Sequence, residues 1–146
     1  MMRLAHLACA AVVAVSFAPA IAAAPNATVS DAWIRALPAS VPSGGYFTLH
    51  NNGSAPLKLT GASSPACGML MLHKSEDMGG MEHMDDMSAI DVPANGTLKF
   101  APGGYHLMCM DAKSAIKPGN TVDVTLQFAG GATLTAKFSV KNATGH

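Results

Sequence analysis

The stretch Thr121-Val122-Asp123-Val124-Thr125-Leu126-Gln127-Phe128 alternates polar and apolar residues without a break. A period of two sends successive side chains to opposite faces, so this segment is a strand with one buried face and needs a sheet to lie in. Gly130-Gly131 supplies hairpin turn residues leading into a second run, Thr133 to Val140. The same grammar extends back along the chain. Strands are expected over Val29 to Ala36, Tyr46 to Leu49, Leu57 to Thr60, Met69 to His73, Met87 to Val92, Thr97 to Phe100 and Tyr105 to Met110. Pro38, Pro42-Ser43-Gly44, Asn51-Asn52-Gly53, Gly61 to Pro65, Asn95-Gly96, Pro102-Gly103-Gly104 and Pro118-Gly119-Asn120 punctuate them. Short, evenly spaced strands without a long helical pattern predict an all-β fold, an antiparallel Greek-key β-sandwich or barrel in a single domain.

The first residues read differently. Arg3 is followed by an apolar run from Leu7 to Phe17, and small-residue cleavage patterns occur at Ala20-Ile21-Ala22 and Ala22-Ala23-Ala24. This is the pattern of a secretory signal peptide, too short for a membrane span. Residues 1–23 are expected to be this leader, with cleavage near 22–24, residues 24–141 one β-domain and 142–146 a frayed tail. Cys9 lies too early for lipid attachment and is expected to leave with the leader. No later apolar run is long enough to span a bilayer, so a periplasmic protein is expected.

An exported chain permits disulfides. Cys67 and Cys109 lie too far apart for a Cys-x-x-Cys redox motif, which leaves a structural bridge or a pair of free thiols. Charge is balanced, with nine basic and nine acidic residues, and no basic patch is interleaved with aromatics; nucleic acid is not an expected partner. Glu76, Asp77, Glu82, Asp85, Asp86 and Asp91 give one acidic stretch, which reads as a solvated loop.

That loop also concentrates soft donors: Met78, Met81, His83, Met84 and Met87 lie among Gly, Asp and Glu, with too little apolar company for a core layer. Exposed thioethers oxidise to sulfoxides, so methionines kept there ask for a reason. On either side stand His73 and the pair His106 and Met108, which share a strand face with Met110 while Leu107 and Cys109 point the other way. Met69 and Met71 read as ordinary strand residues, and His50 as a surface or turn residue. Two imidazoles and two thioethers, from His73, Met84, His106 and Met108, form a neutral, soft donor set suited to Cu(I). Structural zinc would want tight Cys/His pairs and calcium an oxygen-rich loop, and neither pattern occurs. A blue-copper site would need a cysteine ahead of its histidine, whereas Cys109 follows His106.

The spacing His73-x10-Met84-x21-His106-x-Met108 resembles the signature of the PCuAC-type periplasmic copper(I) chaperones. Asp31-Ala32-Trp33, Tyr46 to Asn51, Leu59 to Pro65 and Pro102 to Met108 are also similar to that family. The resemblance implies a cupredoxin-like β-barrel with an exposed Cu(I) site. It also implies a copper chaperone, not an enzyme, that supplies the CuA site of cytochrome c oxidase subunit II, directly or with a Sco-type partner. A monomer is expected. Two other readings stay open: a copper-resistance or storage protein, and a cupredoxin-type electron-transfer protein using Cys109. The additional donors Met78, Met81, His83 and Met87 leave open which sulfur of the loop serves.

Overall fold

The computed structural model describes residues 22–146, so the expected leader falls outside the described residues apart from its last positions. Among the described residues every helix or strand is a strand: β1 (Ala27–Arg35), β2 (Ser43–Asn51), β3 (Leu57–Ser63), β4 (Met69–Asp77), β5 (Glu82–Asp86), β6 (Ile90–Val92), β7 (Thr97–Phe100), β8 (Tyr105–Met110), β9 (Thr121–Phe128) and β10 (Thr133–Lys141). They form one curled sheet in the order β5-β4-β8-β7-β2-β1-β10-β9-β3-β6, with β8 also pairing β2. The all-β, cupredoxin-like expectation holds. The purely antiparallel expectation does not, because β1 runs parallel to β10, with Trp33 opposite Ser139 and Arg35 opposite Lys141.

The alternation in β9 does what its period requires. Val122, Val124, Leu126 and Phe128 are buried, and the strand pairs antiparallel with β10 through the Gly130-Gly131 turn. Both turn glycines have a φ of 85°, the left-handed region that a residue with a Cβ rarely enters. Inside the curl, Phe47 stacks on Phe100 with ring centroids 4.3 Å apart and meets Phe138 edge-on at 5.6 Å. Ile34, Leu49, Leu59, Leu107, Val124 and Leu126 complete a solvent-free interior. Burying a side chain of this size stabilises the fold by about 1.5–3 kcal/mol.

Three stretches read as loops turn out to be strand, one of them Gly61 to Ser63 at the end of β3. Residues 74–86, with their Gly, Asp and Met content, form a β-hairpin in which β4 continues to Asp77 and β5 pairs back on it from Asp77↔Glu82 to His73↔Asp86. Its tip is closed by Met78 N–H donating to Met81 O at 2.9 Å and by Asp77 Oδ1 accepting from Gly80 N–H at 2.8 Å. Ser43 and Gly44 belong to β2, where they stand opposite Cys109 and Met108 of β8. Cys67 and Cys109 are joined by a disulfide, with Cα atoms 5.5 Å apart. The bridge ties the segment entering β4 to the core side of β8. Residues 142–146, expected to fray, turn back on themselves: Asn142 Oδ1 accepts from the N–H groups of Thr144 and His146, and Gly145 lies beside Trp33.

Candidate metal centre

The antiparallel pairing of β4 with β8 places His73 directly opposite His106. Their rings lie 5.6 Å apart, tilted by 53°, and both residues are buried. Leu72 and Leu107, their neighbours on the same two strands, are also buried but face the interior. The histidines therefore occupy the other face of the sheet from these leucines and are buried there.

His106 Nδ1 lies 3.1 Å from Gly104 O, and a carbonyl can only accept, so Nδ1 carries the proton and Nε2 presents a free lone pair. His73 is in a different position. Asp86 Oδ1 lies 2.7 Å from its Nε2, yet the two are not aligned as a hydrogen bond, and neither ring nitrogen has a hydrogen-bond partner. A buried imidazole with two unpartnered nitrogens is uncommon in a folded protein, where such groups are nearly always satisfied. A metal ion is one partner that would satisfy it.

The hairpin brings sulfur to the same side. Ser75 stands opposite Met84, two pairs beyond His73↔Asp86, so Met84 shares the face of His73. Met108 lies two residues after His106 and opposite Gly44. Met84, His106 and Met108 together line a cleft of about 160 Å³, with Gly44, Tyr46 and Arg35 forming part of its wall. His73 borders this group through its packing on His106. Three of the four residues singled out by spacing thus share one cleft, and the fourth, His73, packs on His106 beside it.

The other donors of the hairpin are separated from the cleft. Met78 and Met81 sit at its tip, exposed. His83 lies on the opposite face of β5 from Met84 and contacts Asp85 Oδ1 at 3.0 Å. Met87 is partly buried against the core. On that opposite face Lys74 pairs with Glu76, whose hydrogen bond and charge hold the Lys74 ammonium above its usual pKa. Cys109 is fully buried on the interior side and bonded to Cys67, so the reading of Cys109 as a copper thiolate is overturned. Among the described residues no three His, Cys, Asp or Glu side chains converge closely enough to hold a metal. A metal held at this cleft would therefore need thioether sulfur, which suits a soft ion.

The wall of the cleft was not foreseen from the sequence. A Cβ on Gly44 would lie 2.5 Å from the Tyr46 hydroxyl, so glycine there lets the tyrosine lie across the strand. Tyr46 packs on Trp33 with centroids 4.7 Å apart, and the Arg35 guanidinium sits 5.5 Å from the Tyr46 ring and 5.7 Å from that of Trp33. The available signal was the clustering of rare aromatics and an arginine near two glycines in β1 and β2.

Comparison with known proteins agrees with this architecture. Residues 27–140 match the family model described as "Putative lipoprotein LpqE-like". A protein of Leifsonia xyli subsp. xyli named as a lipoprotein, Lxx21020, is 35% identical over 118 residues, covering 80% of this chain and 70% of its own. Among solved structures, apo-DR1885 from Deinococcus radiodurans is 35% identical with a TM-score of 0.61, covering 95% of this chain and 97% of that one. The CuI form of DR1885 is 32% identical with a TM-score of 0.62, covering 84% and 81%. The copper-bound PCuAC domain from PmoF2 shares the fold at a TM-score of 0.66 and 21% identity, covering 83% and 97%. The resemblance to PCuAC-type domains holds, and the chain belongs to the LpqE-like family.

Proposed function

We propose that this protein is an extracytoplasmic Cu(I) carrier that holds the ion with His73, Met84, His106 and Met108. The observation that carries the reading is the buried His73–His106 pair, with neither His73 nitrogen hydrogen-bonded, Asp86 Oδ1 2.7 Å from Nε2, and two thioethers beside it. The similarity to the CuI form of DR1885 supports it. The lipoprotein name of the Leifsonia relative supports a place outside the cytoplasm, and we take the compartment to be the periplasm.

The chemistry follows from the donors. All four are neutral, so the cargo keeps its single positive charge, and thioethers and imidazoles suit Cu(I) better than the higher oxidation state. Met84 is 45% exposed, which leaves one donor at the surface for an acceptor's ligand to displace. The histidines stay behind in the sheet. This is the arrangement of a carrier that hands on an ion, and no catalytic reaction is assigned to it.

The recipient in this reading is the CuA site of cytochrome c oxidase subunit II, reached directly or through a Sco-type protein. Mixing the Cu(I)-loaded chain with the apo CuA domain, with and without an apo Sco-type protein, tests it. Copper should leave this chain for one of the two. Retention of copper in both mixtures would favour storage or resistance, which uses the same site.

A further inference from the structure

We propose that the outer face of β4 and β8 carries a second site for a soft monovalent cation, Cu(I) or Ag(I). Its donors are the thioethers of Met69, Met71 and Met110, with Met108 shared between the two sites.

The register makes the case. Along the two strands the cross-strand partners run His73↔His106, Met71↔Met108 and Met69↔Met110. Each pair lies two residues from the next, so all three occupy one face. The alternate positions Leu70, Leu72, Leu107 and Cys109 are buried in the core, which puts the methionines on the other side of the sheet. Met69 is 57% exposed, and Met71, Met108 and Met110 are partly exposed. These four therefore do not fill the interior, the ordinary use of methionine in a strand.

Directly opposed residues in an antiparallel pair have Cβ atoms about 4.5–5.5 Å apart, and successive same-face positions are about 6.6–6.8 Å apart along the strand. Methionine has three rotatable bonds in an unbranched side chain, so neighbouring thioethers in such a ladder can turn toward a common point. Sulfur donors without thiolate or oxygen select a soft monovalent ion. The ladder begins where the histidine pair ends, and Met108 belongs to both. A cation at the outer position would have a path to the histidines along the sheet. That path as a step in copper transfer rests on the carrier reading above; the existence of the site does not.

The test uses the exported chain labelled with ¹³C at the methionine methyls, titrated with Ag(I) and, anaerobically, with Cu(I). The wild type should take up two equivalents, with the methyl signals of Met69, Met71 and Met110 moving as the second is added. Met69→Leu/Met71→Leu/Met110→Leu, a swap that nearly conserves volume, should lose that equivalent and keep the first. His73→Ala/His106→Ala should disturb the first and leave the shifts of Met69, Met71 and Met110 in place. A single equivalent in the wild type would overturn the proposal. So would a second equivalent that survives the leucine substitutions or moves only Met78 and Met81. If the histidine double variant binds like wild type, the carrier site fails while the methionine site stands.

Discussion

His73 and His106 are cross-strand partners on β4 and β8, their rings 5.6 Å apart on the side of the sheet away from the core. Neither ring nitrogen of His73 has a hydrogen-bond partner, and His106 leaves its Nε2 free by donating Nδ1–H to Gly104 O. The sheet thus fixes two buried imidazoles side by side, with Asp86 Oδ1 2.7 Å from His73 Nε2. What the neighbouring methionines, the disulfide and the aromatic wall contribute can each be separated by experiment.

Met84 shares the histidine face, whereas Met78 and Met81 sit at the hairpin tip and Met87 packs toward the core. Met84→Ala should weaken Cu(I) binding far more than alanine at any of the other three, measured by competition with a Cu(I) chelator. Equal losses at all four would make the hairpin sulfurs interchangeable.

The Cys67–Cys109 bridge closes a loop with a sequence separation of 42 and spans both strands that carry the histidines. Closure of such a loop contributes roughly 2–4 kcal/mol. Cys67→Ser/Cys109→Ser should lower the thermal midpoint accordingly and loosen Cu(I) binding by relaxing β4 against β8. Thiol counting on denatured, unreduced protein spanning residues 24–146 should find no free thiol; two reactive thiols would remove the bridge.

Gly44 leaves room for Tyr46, whose hydroxyl would lie 2.5 Å from an added Cβ. The ring is held by Trp33, so it cannot swing away freely. Gly44→Ala should cost about 1–3 kcal/mol, the usual range for overpacking. Tyr46→Phe in the same chain should recover part of that loss, because it deletes the atom that clashes first. Additive losses in the double variant would show that the two residues do not meet.

Much of this fold was readable from residue order, because burial on one face writes itself as a period of two. The bounds of β7, β8 and β9 fall at Thr97–Phe100, Tyr105–Met110 and Thr121–Phe128, where the alternation and the turn residues place them. The β4–β5 hairpin was hidden because β5 is exposed at every position, so no apolar face marks it as a strand. Ser43 and Gly44 read as loop because small residues carry no pattern, and their pairing with β8 is a long-range event. The parallel contact of β1 with β10 joins the two ends of the domain and leaves no local signature. For the candidate site, spacing singled out His73, Met84, His106 and Met108, of which the last three line one cleft and His73 packs on His106. It left open whether Met78, Met81, His83 or Met87 joins or replaces Met84, a question on which the hairpin register bears, and it missed Arg35, Gly44 and Tyr46.

Imidazole binds a metal only through a free lone pair, so protons compete with Cu(I) at His73 and His106. Thioethers do not titrate in this range. Affinity should therefore fall as the pH is lowered from neutral, the direction that proton competition dictates. Competition titrations across that range, repeated on His73→Ala and His106→Ala, measure the slope; a flat wild-type profile would take the histidines out of the site.

The most direct measurement is X-ray absorption at the copper edge on a chain of residues 24–146 loaded anaerobically with one equivalent of Cu(I). The structure predicts a mixed first shell, with nitrogen from His73 and His106 and sulfur from Met84 and Met108. A shell of oxygen and nitrogen alone, or of sulfur alone, would contradict it.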